Sequence, residues 1–204
     1  MTALVETMPG ANTAPPVLLL QGTGGTNREI LTFGRRLVPQ SPLITVAGRV
    51  GTGQQRQYFR QTVAAPATPQ HLMTEATWIR DQVRQVCAAH RWDSDKLIVV
   101  GYSNGAAMGS YGLQHGLFPG RLAVLLHPVT LPGTYDQDLH GRKIWLSGGQ
   151  RDPFVQAAAI RQMAAVFTAR GAQTTVTITG GTHNLTPGEV LAAHDWLAAN
   201  LSVD

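Results

Sequence analysis

The apolar run Leu97-Ile98-Val99-Val100 leads directly into Gly101-Tyr102-Ser103-Asn104-Gly105, and Ala106-Ala107-Met108-Gly109 follows. Strand, glycine-bounded turn and helix in that order are the setting of a G-x-S-x-G nucleophile elbow. The reason for the glycines is steric. A serine on a strained strand-to-helix turn draws neighbouring backbone together, and a Cβ on either side would clash. The turn also sets Ser103 at a helix N-terminus, where unpaired N–H groups and the helix dipole favour developing negative charge. A glycine-rich turn with an incidental serine is the plainer reading of the same residues, so the remainder of the chain has to decide.

At 204 residues and 43% hydrophobic content the chain supports one substantial core. The expectation is a single domain over residues 17–204, preceded by a flexible leader or loosely attached edge segment over residues 1–16. A net charge of +4, carried by scattered arginines, marks no polyanionic partner. The one basic cluster, Arg56 to Arg60 with Tyr58 and Phe59, is too short for a nucleic-acid stripe. Cys87 is the only cysteine, which excludes an intrachain disulfide and suits a small buried hydrophobe in a helix. The first 16 residues have no cationic segment followed by an apolar run, and no later stretch is long enough to span a membrane. A cytoplasmic protein, monomeric or homodimeric, without nucleic-acid or membrane partners, is expected.

Along the chain, apolar runs alternate with helical periodicity. Val17 to Leu20, Leu43 to Ala47, Lys96 to Val100, Leu122 to Leu126, Lys143 to Ser147 and Thr174 to Ile178 read as strands. Helices are predicted around Ile30–Leu37, over His71–His90, from the elbow to about His115, from Asp152-Pro153 to about Arg170, and from Thr186-Pro187 onward. Gly48 to Pro69 has no sustained period and is longer than an ordinary connection. The alternation implies an α/β domain with a mostly parallel central sheet, helices on both faces, and a ligand site beyond the carboxyl ends of the strands.

A serine hydroxyl needs a base to take its proton and a carboxylate to hold that base in the right tautomer. Asp152, after Gly148-Gly149-Gln150-Arg151, and His183, after Gly180-Gly181-Thr182, follow the later strands in the order Ser, Asp, His. Asp152 also suits a helix N-cap and His183 a polar loop residue; their joint placement with Ser103 favours chemistry. Two N–H groups would receive the oxyanion: that of Asn104, after the nucleophile, and that of Thr23, in Gln21-Gly22-Thr23-Gly24-Gly25. His127 follows the strand after the elbow and has no matching acid in sequence order. His194 reads as a surface residue. No histidine pairs at metal-ligand spacing, so no metal is assigned.

These segments together resemble the α/β-hydrolase superfamily, and within it the small bacterial carboxylesterase and phospholipase-type branch related to acyl-protein thioesterases. Leu18 to Gly25, Gly101 to Ala106, Gly149 to Pro153 and Gly181 to Leu185 carry the likeness, which spans about residues 17 to 200. Gln21 stands where that branch usually has histidine. The resemblance implies an α/β-hydrolase fold with minimal or no lid, no cofactor, and hydrolysis of small or short-chain esters or thioesters through an acyl-enzyme on Ser103, Asp152 and His183. It also places Gly48 to Pro69 beside the acyl pocket, making Tyr58, Phe59 and Arg60 candidates for substrate contact; packing of that loop onto the body explains the two aromatics equally well. A non-catalytic small-molecule-binding protein on the same fold, or an amidase or peptidase, is the alternative.

Overall fold

The computed structural model describes residues 3–62, 64–133 and 135–201. Its strands are β1 (Val5–Met8), β2 (Val17–Leu20), β3 (Leu43–Val46), β4 (Ile98–Tyr102), β5 (Leu122–Leu126), β6 (Lys143–Gly149) and β7 (Gln173–Thr179). They form one sheet of order β1-β3-β2-β4-β5-β6-β7, in which β1 pairs antiparallel with β3 and every other pairing is parallel. The expected leader therefore needs correcting at Val5–Met8: with Val5 opposite Val46 and Met8 opposite Leu43, those residues are an edge strand. A run of four residues without a helical or alternating signature only becomes a strand because β3 offers it a free edge.

The helices are α1 (Asn27–Leu37), α2 (Pro69–His90), α3 (Asn104–Gln114), α4 (Ala157–Ala169) and α5 (Pro187–Leu201). Among the described residues no helix is long and apolar enough to cross a membrane. Helix α1 starts earlier than its apolar spacing implies, because Thr26 and Glu29 close a capping box over its first turn. Helix α2 is set by Thr68, whose hydroxyl accepts from His71 N, and by Pro69 at its start. Strand β4 begins at Ile98 rather than Lys96, since Ser94–Lys96 turns as a short 3-10 segment capped by Asp93. The helix predicted from Asp152 begins only at Ala157. The intervening residues turn around the Asp152 carboxylate instead.

Side chains of successive strand residues alternate between two cores. Leu18 and Leu20 pack with Ile44, Val46 and the buried faces of α2, α3 and α4. Val17 and Leu19 pack with Ile98, Val100 and residues of α1 and α5. Strands buried on both sides must be apolar throughout, as β2 is with Val17, Leu18, Leu19 and Leu20 all inaccessible. Each such side chain contributes about 1.5–3 kcal/mol through burial. His194 is half-buried rather than on the surface, its Nδ1–H donating to Leu37 O at 2.8 Å and joining α5 to the end of α1.

The Gly48–Thr68 excursion is anchored at a few points. Arg49 makes two hydrogen bonds to Glu75 (3.1 and 2.9 Å) and lies over Trp78, Arg56 donates to Gly48 O, and Val50 bridges to Gln57. The basic cluster thus folds back on its own loop.

Candidate active site

Ser103 occupies φ 54°, ψ −117°, a strained backbone for a residue with a Cβ. What holds it there is close packing on both sides. A Cβ at Gly101 would lie 2.6 Å from Ala106 Cα, and one at Gly105 would lie 2.2 Å from Leu20 O. Ser103 N–H donates to Leu126 O at 2.8 Å, extending the β4–β5 ladder to the turn itself. The hydroxyl does not cap α3. It points across the strand ends to His183 Nε2, 2.8 Å away.

His183 Nδ1 lies 2.7 Å from Asp152 Oδ2. A carboxylate oxygen can only accept, so Nδ1 carries a proton, and in the neutral ring the Nε2 lone pair then faces the serine. Asp152 serves two purposes at once. Oδ1 accepts from the N–H groups of Phe154 (2.8 Å) and Val155 (3.0 Å), and Oδ2 is left for the histidine side. Asp152 is therefore not the helix cap that its place before Pro153 suggested, since α4 starts at Ala157 with Gln156 as its N-cap; Oδ1 closes the turn before the helix instead. The loops are tied together by Arg151 N–H to Gly181 O (2.9 Å) and Arg151 Nε to Gly180 O (2.8 Å). Tyr102, the residue before the serine, donates its hydroxyl to His183 O at 2.9 Å and lays its ring against the imidazole.

Sequence order concealed a second histidine. His127, at φ 51° just beyond β5, is wholly buried, with Nδ1 2.8 Å from the same Asp152 Oδ2 and Nε2 3.0 Å from Glu189 Oε1. Sequence order offered His127 no acid, yet the fold supplies two, Asp152 and Glu189. Glu189 arrives from the first turn of α5, a place that periodicity reads as ordinary helix-start acidity. Burial opposes the charge on Asp152, yet hydrogen bonds from His127, His183 and the two backbone N–H groups outweigh it and hold the carboxyl at about 2. Burial likewise opposes charge on His127, but its two carboxylate partners push its pKa up. Glu189 is lowered, the contacts of His127 and Ser147 overcoming burial.

His127, Asp152 and His183 have ligand atoms close enough together to suggest a cation site. The 2.7–2.8 Å separations are those of N–H donors on a carboxylate, and they leave no space for an ion between the partners.

The serine opens onto a cleft of about 750 Å³. Thr23 lines it, and Asn104 N–H is one of the orphan donors at the start of α3. Gly24 N–H and Gly25 N–H are taken by Arg56 O and Gly22 O, whereas Thr23 N–H has no acceptor among the described residues. Gln21 braces this loop by donating from Nε2 to Gly25 O at 2.8 Å. Of the three expected substrate contacts, only Phe59 lines the cleft. Tyr58 is fully buried: its hydroxyl donates to Val46 O at 2.7 Å and accepts from Gln21 N–H at 3.2 Å, so packing of the loop is its role. Arg60 is exposed and lies outside the lining. Asn104 fastens this segment to the elbow, its side chain accepting from Tyr58 N–H and donating to Phe59 O. Val129 and Phe154, which sequence reading did not single out, complete the apolar wall.

A family model described as the dienelactone hydrolase family matches residues 1–185. The chain belongs to the dienelactone hydrolase family. It is 28% identical over 181 residues to the putative hydrolase MhqD of Bacillus subtilis (strain 168), covering 88% of this chain and 90% of that one. Its fold is similar to that of a Bacillus cereus carboxylesterase (TM-score 0.89, 23% identity, 96% and 93% of the two chains) and to that of YahD solved with malic acid (0.90, 25%, 98% and 99%). Arabidopsis thaliana SOBER1 shares it more distantly (0.75, 16%, 92% and 99%). This member of the family accordingly has the α/β-hydrolase fold and is a hydrolase of the dienelactone hydrolase type.

Proposed function

We propose that the protein cleaves small carboxylic esters, or thioesters, through an acyl-enzyme on Ser103. One observation carries the reading: Ser103 Oγ, His183 Nε2, His183 Nδ1 and Asp152 Oδ2 form a continuous chain of 2.8 and 2.7 Å contacts at the floor of an open cleft. His183 takes the hydroxyl proton as Ser103 Oγ bonds to the acyl carbon. The carbonyl oxygen becomes an oxyanion, received by the N–H groups of Asn104 and Thr23. Collapse of the tetrahedral adduct expels the alcohol or thiol, which takes the proton from His183; water activated by the same imidazole then frees the acid. Asp152 holds the tautomer throughout and stays ionised.

The cleft wall is made of Phe59, Tyr102, Val129 and Phe154 with amides and hydroxyls, and among the described lining residues His183 is the only one with an ionisable base. That lining suits a small uncharged acyl group. The test is turnover of short-chain p-nitrophenyl esters by wild type and Ser103→Ala, with fluorophosphonate labelling of both. Loss of turnover and labelling together in a folded variant is the expected result; equal rates in the two proteins overturn the reading.

A further inference from the structure

His127 has no place in the proton transfers just described, yet it is a fully enclosed ionisable group beside them. Its side chain, like those of Asp152 and Glu189, has no solvent exposure. Both ring nitrogens face carboxylate oxygens, at 2.8 and 3.0 Å. A neutral imidazole has one N–H, so it would set a lone pair against one of those carboxylates; only the doubly protonated ring satisfies both. The chain Glu189, His127, Asp152, His183, Ser103 is thus continuous, and two carboxylates with one imidazolium leave a single net negative charge behind His183. Asp152 Oδ2 accepts from two imidazoles.

On the reading that His183 is the general base, we infer that His127 is a positioning residue whose fixed charge holds the Asp152 carboxylate in place and restrains the basicity of His183. Two physical effects follow from its position. Hydrogen bonding at Oδ2 adds a second anchor to a carboxylate whose other oxygen is already spent on Phe154 and Val155, so the orientation of His183 is over-determined. The positive ring, 5.2 Å from that of His183, also offsets part of the attraction that Asp152 exerts on a second His183 proton. The other ionisable groups facing the two rings are Tyr102, kept neutral by a raised pKa, and Glu189 with its neighbour Ser147.

The test is the pH dependence of kcat/KM for a neutral aryl ester in wild type and His127→Gln, together with imidazole ¹⁵N–¹H spectra of the wild-type protein. In His127→Gln the acid limb should move up by about one pH unit, with kcat lowered and KM unchanged, because the residue does not line the cleft. A merely structural role would lower melting temperature and leave the limb where it was, which overturns the inference. The spectra decide the charge even if the variant fails to fold. Two protonated nitrogens on one buried ring, persisting from about pH 5 to about pH 9, support it; loss of one of them in that interval overturns it. Ser103→Ala is the control for the underlying reading: turnover surviving in that variant removes the role assigned to His183, while the His127 spectra still report their own result.

Discussion

Ser103, Asp152 and His183 stand a short step beyond β4, β6 and β7, whereas Phe59 and its neighbours hang on the Gly48–Thr68 excursion, tied down by Asn104, Tyr58 and the Arg49–Glu75 pair. On the floor of the cleft, Ser103, His183 and Asp152 reach one another from three different strand ends, so displacing any one group disturbs several. On the wall, apolar faces meet the cleft with few directional contacts. The contrast teaches where chemistry and selectivity separate: changes to the floor should fall on kcat, and changes to the wall on KM and the choice of acyl group.

The comparison is broken most directly at the floor. Ser103→Ala should lower kcat by about 10⁴-fold or more with little change in melting temperature, measured on a short-chain ester. Asp152→Asn should cost about 10³- to 10⁴-fold in kcat, because an amide can donate toward His183 Nδ1 and so permit the wrong tautomer. Retention of near-wild-type turnover in either would mean that the floor is not the reaction centre.

Tyr58→Phe probes the seam between floor and wall. It removes the hydroxyl that joins Val46 O to Gln21 N–H in a fully buried position, so unfolding in urea should show a loss of about 1–3 kcal/mol, accompanied by a lower kcat as the Thr23 loop loosens. Acid provides a gentler probe. The Asp152 pKa is about 2 in the folded chain against an ordinary value of 3.8, a depressed carboxylate, so its contribution is present above pH 3.8 and is lost as pH falls toward 2. Asp152→Asn should flatten that part of the stability curve. The smallest effect belongs to the wall: Phe154, 76% exposed and set edge-on to His183, should on change to Ala raise KM for aryl esters a few-fold while leaving kcat and melting temperature nearly unchanged.

Much of the architecture was legible because buried parallel strands must be apolar throughout and their crossover helices amphipathic, a pattern that Val17–Leu20 and Leu122–Leu126 declare residue for residue. Ser103, Asp152 and His183 could be singled out because each is a polar residue in a glycine-lined turn directly after such a strand. Boundaries set by hydrogen bonding were less legible. Val5–Met8 becomes a strand only through β3, and the helix after Asp152 waits until Ala157 because the carboxylate claims two backbone N–H groups first. Tyr58 and Phe59 are adjacent, and only one of them faces the cleft.

The order of residues along the chain determined which side chains could meet at the carboxyl edge of the sheet, since a parallel α/β chain delivers each strand end to that one edge. Tertiary packing alone decided that His127 and Glu189, 62 positions apart, meet in the closed interior behind Asp152. Local pattern specifies what a residue's own strand or helix does with its backbone; it carries no information about which distant group will neutralise a buried charge, because that partner is chosen by the shape of the closed core.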